Sequence, residues 1–231
     1  LTHKAKEPVK VPRPTHLSLA LMLATFAAAP AALAQAYPTK PVTIVVGYPA
    51  GGSTDLTGRT LGDALAKQLG VPVVIENLGG AGGAIGAQKV ASAAPDGYTL
   101  LVGANNEVAI SKLVTKTTRY DLKDFTPIGL IASQPMVLVA SPTAGVKNLD
   151  EFLAKVKAAP GKFSYGSSGV GTALHLAGEM VKERAGLFMT HIPYRGVAPL
   201  TTDLVGGNLE YGVFVLSSGL PHIKSGKVVA L

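Results

Sequence analysis

The residues Pro49-Ala50-Gly51-Gly52-Ser53-Thr54-Asp55 stand between a strand-like run, Val42 to Val46, and a helix-like run, Leu56 to Leu69. A glycine-rich turn in that position leaves backbone N–H groups exposed at a helix N-terminus. Those donors and the positive end of the helix dipole form a site for an anion, carboxylate or phosphate. Asp55 is placed to cap the same helix, a role that needs no ligand. A second segment of the same chemistry, Ser167-Ser168-Gly169-Val170-Gly171-Thr172, lies more than a hundred residues downstream and also precedes a helix-like run. Two such loops on separate lobes describe a clamp for a small anion. Arg195, just after a strand-like run, offers either a bidentate partner for a ligand carboxylate or an ordinary salt bridge.

Several other chemistries fail on spacing. No lysine follows the second glycine of Pro49–Asp55, which removes a nucleotide P-loop. The run Gly79-Gly80-Ala81-Gly82-Gly83-Ala84-Ile85-Gly86 invites a dinucleotide reading, but counting from Gly80 puts Ile85 where the third glycine belongs. A tight turn with close helix packing, bordering a pocket, is the better reading. A nucleophile elbow would need glycine where Val170 stands. Ser168 with His175, His191 and Asp203 remains an imaginable hydrolase set without supporting spacing. His175, His191 and His222 are too dispersed for a metal site. No catalytic residue, metal or cofactor is expected.

The elements that must position these loops alternate. Val42–Val46, Val71–Ile75 and Thr99–Val102 read as strands, with helices at Leu56–Leu69 and Ile85–Ala93. A second series begins near Pro135. It has strands at Met136–Val139, Phe163–Tyr165, His191–Tyr194 and Leu209–Val215. Its helices run to Ala158, from Thr172 to Ala185, and from Pro199 to Val205. Asn148 or Asp150 caps the first of these helices. Near-continuous apolar strands predict a parallel sheet covered on both faces, an α/β fold. The crossing between units falls within Tyr120–Ile131, and Lys227–Leu231 reads as the beginning of a strand.

The first 36 residues read as an export leader. Lys4, Lys6, Lys10 and Arg13 precede an apolar stretch, Leu17 to Ala29, and small-residue steps place cleavage near Ala34 or Ala36. The stretch is too short for a membrane span of about 20 residues. Of 231 residues, 195 remain; four of the 21 Lys and Arg and one of the 14 Asp and Glu leave with the leader, so 17 minus 13 gives +4. The remaining cations are scattered, which argues against a nucleic-acid partner. With no cysteine, disulfides, thiolate chemistry and a lipid-modified cysteine are excluded.

These motifs, in this order, resemble the Bug-type extracytoplasmic solute receptors, the binding proteins of tripartite tricarboxylate transporters. The likeness runs from Tyr37-Pro38-Thr39-Lys40-Pro41 through Pro49–Asp55, Glu76-Asn77, Ala94-Pro95-Asp96-Gly97-Tyr98 and Tyr120-Asp121. It continues through Tyr165–Gly169, His175–Glu179, His191–Gly196, Asp203-Leu204 and Leu220–Lys224. The resemblance implies a periplasmic binding protein fold of type II-like character, with lobe 1 over residues 37–130 and lobe 2 over 131–231. It implies a monomer, free in the periplasm, that closes on a small carboxylated solute and delivers it to membrane permease subunits. Mapped on this chain, the ligand would be held by Ala50, Gly51, Gly52, Ser53, Thr54 and Asp55, by Asn105 and Asn106, and by Ser167, Ser168, Gly169 and Thr172, with Arg195 beside them. The family's aromatic–Asp pair falls at Val213-Phe214, so that polar contact is missing here. Family members also continue beyond the position of Leu231 to complete lobe 1, which implies a truncated chain with a partly exposed core. Handing the liganded protein to a two-component sensor is the alternative output, and a hydrolase using Ser168 a distant one.

Overall fold

The computed structural model describes residues 36–231, Thr117 apart. The expected leader therefore lies outside the described residues except for Ala36. Pro38–Leu231 forms one compact unit, distinct from the segment ending at Tyr37.

The first sheet has three strands, β1 (Val42–Val46), β2 (Val73–Asn77) and β3 (Thr99–Val102), in the order β2-β1-β3 and all parallel. Parallel neighbours need crossover connections, here supplied by helix α1 (Ser53–Leu69) and helix α2 (Ala84–Ala91). Leu61 and Leu65, four residues apart, pack on the cluster of Ile44, Val46, Tyr48 and Val102. On the same helix a Cβ at Gly58 would stand 3.0 Å from Val46 Cγ2 and one at Gly62 3.0 Å from Ile75 Cδ1. The two glycines bring α1 down onto the sheet. The register aligns Val46 with Asn77 and with Val102, so the strands' carboxyl ends and the loops after them share one edge. That edge is where open α/β sheets place ligands.

After β3 the chain forms a π-helical turn (Asn106–Ile110), the short helix α3 (Ser111–Val114) and a 3-10 turn (Leu122–Asp124). It then runs without helix or strand to the second sheet. That sheet has the order β6-β5-β7-β4-β8, with β4 (Met136–Ala140), β5 (Ser164–Ser167), β6 (Thr190–Pro193), β7 (Tyr211–Val215) and β8 (Val229–Ala230). Helices α4 (Leu149–Ala158), α5 (Ala173–Ala185), α6 (Val197–Val205) and α7 (Leu216–Lys224) connect the strands. The core is apolar and aromatic: Phe152, Tyr165, Leu200, Leu204, Tyr211 and Phe214 are almost fully buried. Phe152 meets Tyr211 edge-on, with ring centroids 4.8 Å apart.

The α/β class stands, with two corrections. The second sheet is mixed, because β4 runs antiparallel to both β7 and β8; an apolar run carries no strand direction. In the first sheet β2 lies at the edge with Val74 half exposed, so that strand is not covered on both faces. Asn148, rather than Asp150, caps α4, its side chain accepting from the Glu151 N–H at 2.9 Å. The helix predicted from Leu56 begins at Ser53, capped by Gly52 without a side-chain bond. Asp55 is thus not the cap: it lies inside the first turn.

Candidate functional site

The loop from β1 to α1 is held from beneath. Gly51 adopts a positive φ of 86°, which turns its N–H onto Asp55 Oδ2 at 2.8 Å. Arg59 Nε donates to the same oxygen at 3.0 Å, and Asn77 Nδ2 donates to Asp55 Oδ1 at 2.9 Å. Asn77 Nδ2 also reaches the Tyr48 carbonyl at 3.0 Å, while its own oxygen accepts from Arg59. Burial opposes charge on Asp55, yet the bonds from Arg59, Gly51 and Asn77 hold its carboxyl below the usual range. Both Asp55 oxygens are thus engaged inside the protein, tying Tyr48, the loop and the end of β2 together. Ala50 and Gly51 are exposed and Ser53 and Thr54 half-buried. The first N–H groups of α1 have no intrahelical acceptor.

The second expected loop is closed on itself. Thr172 Oγ1 accepts from the His175 N–H at 3.3 Å as the N-cap of α5 and donates to the Gly169 carbonyl at 2.8 Å. Ser168 Oγ donates to Thr172 Oγ1 at 3.0 Å. Ser167, fully buried, accepts from the Gly169 N–H at 3.2 Å and meets His191 Nε2 at 2.7 Å. Among the described residues no histidine bonds Ser168.

Asn106 joins the two sheets' elements. Its Nδ2 donates to the Tyr48 hydroxyl at 2.6 Å, and that hydroxyl donates to the Gly82 carbonyl at 2.8 Å. Its oxygen accepts the Ala173 N–H at 2.7 Å, the first of α5. A neutral amide oxygen thus sits where the α5 dipole is positive. Burial, and the Glu107 charge nearby, push the Tyr48 phenol far up, so it remains a neutral donor. Asn105 is exposed beside this junction.

Glu107 lies just behind. It is 1% exposed, its Oε2 accepting from the Ala104 N–H at 3.0 Å. Its Oε1 is buried without a hydrogen-bond partner. Burial raises its carboxyl to about 7, the two backbone N–H contacts opposing this only in part. Gly83, at a φ of 95°, is the roof: a Cβ there would meet Oε1 at 2.5 Å.

A cavity of about 300 Å³ opens between Tyr48 and Gly80–Gly83 on one side and Ser168–Val170 and Pro193–Arg195 on the other, with Thr115 at its edge. The structure therefore brings Ser168, Gly169 and Arg195 to one cavity. Ala50 to Asp55, Asn105, Asn106, Ser167 and Thr172 do not line it. They stand behind it or beside it, with Gly51 close to Ala198 and Pro49 against Gly196. The Gly80–Gly83 turn borders the pocket as its glycine pattern predicts. Among the described lining residues Arg195 carries the one ionic charge. Tyr194 donates its hydroxyl to Asp203 at 2.7 Å; burial, then Asp203, push the phenol to about 12.

Sequence reasoning gave no role to Tyr48 or Glu107, and named Asn77 only within a motif of the resemblance. Asn77 carried a usable signal, as a polar side chain at the carboxyl end of an apolar strand. Tyr48 and Glu107 carried none, because their partners are distant in sequence.

A family model described as "Tripartite tricarboxylate transporter family receptor", TctC, matches residues 57–231. The chain belongs to this receptor family. The receptor is 35% identical over 215 residues to Protein BugT of Bordetella pertussis, covering 92% of this chain and 66% of that protein. Two solved structures from Rhodopseudomonas palustris are also similar to it. One is Rpa4515 with adipate, 33% identical with a TM-score of 0.83 over 85% of this chain and 66% of that one. The other is MatC with bound malate, 32% identical with a TM-score of 0.78 over 84% of this chain and 66% of that one. The receptor chain thus spans about two thirds of these relatives' length. Among its described residues no helix is long and apolar enough to cross a membrane.

Proposed function

We propose that this receptor chain captures a small carboxylated solute, an organic acid or acidic amino acid, in the periplasm and delivers it to the membrane permease subunits of a tripartite transporter. The observation that carries the reading is the cavity at Tyr48, Gly80–Gly83, Ser168–Gly169 and Arg195. It offers glycine backbone, hydroxyls and one guanidinium, and no carboxylate to repel an anion. Two similar receptors bind adipate and malate in their solved structures, which supports a carboxylate of that size.

In this reading lobe 1 spans residues 37–130 and lobe 2 spans 131–231, and they close as a monomer. Arg195 takes a carboxylate in bidentate fashion, with Ser168 and Gly169 beside it. The Ala50–Thr54 loop supplies N–H groups at the α1 N-terminus, with Asp55 as its support. Asn105, Asn106, Ser167 and Thr172 fix the walls. A leader cleaved near Ala34 or Ala36 would export the chain. In this reading Ser168, bonded to Thr172 Oγ1, serves as a ligand contact rather than a nucleophile.

Calorimetric titration against adipate, malate, citrate, glutamate and benzoate tests the reading. At least one should bind, and Arg195→Ala should weaken it tenfold or more. Ser53→Pro, which removes one loop N–H, should weaken it less. Binding of none of the five acids would refute the carboxylate clamp.

A further inference from the structure

The Ser167–Thr172 loop, the second half of the proposed clamp, rests on a pair of histidines that ligand chemistry does not require. His175 on α5 and His191 on β6 stack with ring centroids 4.0 Å apart and planes inclined by 24°. Each ring bonds the loop at a different point. His191 Nε2 meets Ser167 Oγ at 2.7 Å, and the same hydroxyl holds the Gly169 N–H. His175 Nδ1 accepts the Gly171 N–H at 3.0 Å. At His175 the loop lies on the neutral ring, since an imidazole nitrogen accepts only when it carries no proton.

We propose that His175 and His191 are positioning residues for the ligand loop, and that protonation of the pair at His175 releases the Gly171 N–H and loosens the grip on ligand. The proposal rests on the carboxylate-clamp reading only for its last step, the effect on ligand.

The geometry supplies both an attraction for the proton and a lever. With Nδ1 committed to Gly171, the neutral ring carries its proton on Nε2, which faces Glu179 Oε1 at 3.9 Å. A second proton can enter only at Nδ1, where it would oppose the Gly171 N–H donor to donor. Glu179 favours the cation that results. Its carboxylate is bonded by Lys182 Nζ at 2.8 Å and by the Tyr165 hydroxyl at 2.6 Å. On the β5 side Tyr165, itself pushed far up by burial and by Glu179, contributes a neutral ring 5.0 Å from His191.

His191 is the fixed partner. Burial, then the facing His175 ring, lower it to about 4, so it stays neutral above that pH. Two protons on rings stacked at 4.0 Å would add like charges in a half-buried site, so the pair takes one at a time.

The decisive measurement uses the ligand-free protein. In heteronuclear NMR between pH 8 and 4.5 the Gly171 amide should shift, and lose hydrogen-exchange protection, in step with the His175 ring. In His175→Asn, whose side-chain oxygen can replace Nδ1 as acceptor, that amide should stay protected at every pH. With adipate and malate as probes, wild-type affinity should fall at least tenfold more than that of His175→Asn between pH 8 and 5. A Gly171 amide indifferent to the His175 ring would overturn the proposal, as would parallel affinity profiles. Failure of both probes to bind would count against the clamp reading, with the Gly171 readout still deciding the histidine pair.

Discussion

Replacing Glu107 by Gln tests a buried carboxyl that has one oxygen without a hydrogen-bond partner. The carboxyl is buried beneath Gly83 and Gly47, bonded on one oxygen by Ala104 and on the other by nothing. Its affinity for a proton rises from the ordinary 4.5 to about 7. The folded state therefore binds the proton more tightly than the unfolded chain. Stability from this group is fully present below pH 4.5 and is lost as pH rises through about 7. At about 1.4 kcal/mol per pH unit, a rise of this size corresponds to a loss of about 3 kcal/mol across the window. Gln keeps an acceptor for the Ala104 N–H and has no charge to bury. The assay is denaturant unfolding of wild type and Glu107→Gln at half-unit steps from pH 4.5 to 8.5. The difference between the two curves should swing toward the variant by about 3 kcal/mol as pH rises. Parallel curves across that range would refute the reasoning, for they would mean the carboxylate is solvated or paired when folded.

Other substitutions probe the remaining joints of the site. Asn77→Ala cuts the tie among Tyr48, Asp55 and Arg59 and should cost about 1–3 kcal/mol in unfolding free energy, as expected when buried partners are orphaned. Tyr48→Phe removes the hydroxyl shared by Asn106 and Gly82. A similar loss of about 1–3 kcal/mol should appear in thermal melts, with faster hydrogen exchange at Ala173. Gly178→Ala puts a Cβ 2.2 Å from Tyr165 Cε2, a rigid buried ring. Overpacking of this kind costs about 1–3 kcal/mol, and the shift in the Tyr165 near-ultraviolet signal should accompany it.

Much of this architecture is legible in the sequence, for reasons that also explain what is not. Val42–Val46 and the α1 pattern of Leu61 and Leu65 are local signals, and their elements stand where periodicity puts them. The glycine-rich run at 80–83 declares a turn, and it borders the cavity. Strand direction in the second sheet is a property of pairing, so β4 was invisible as an antiparallel strand until β7 and β8 lay beside it. Asp55 shows the limit at the site itself. Its position near a helix start predicts a cap, but the choice between capping and folding back onto Gly51 depends on Asn77 and Arg59. Glu107 lies further beyond reach. Nothing in Asn105-Asn106-Glu107 announces burial, which Gly47 and Gly83 impose from elsewhere in the chain.

The bond from Asn106 to the Ala173 N–H has a kinetic consequence. It fastens the first sheet's loops to the start of α5 at a net worth of about 1 kcal/mol. On the carboxylate-clamp reading a solute arriving from solution would meet a door on the latch, and its apparent affinity would scale with the fraction of time the door stands open. The same latch would slow departure once a solute is inside. In that case Asn106 would trade speed of capture against length of residence, through one uncharged side chain that need never touch the cargo.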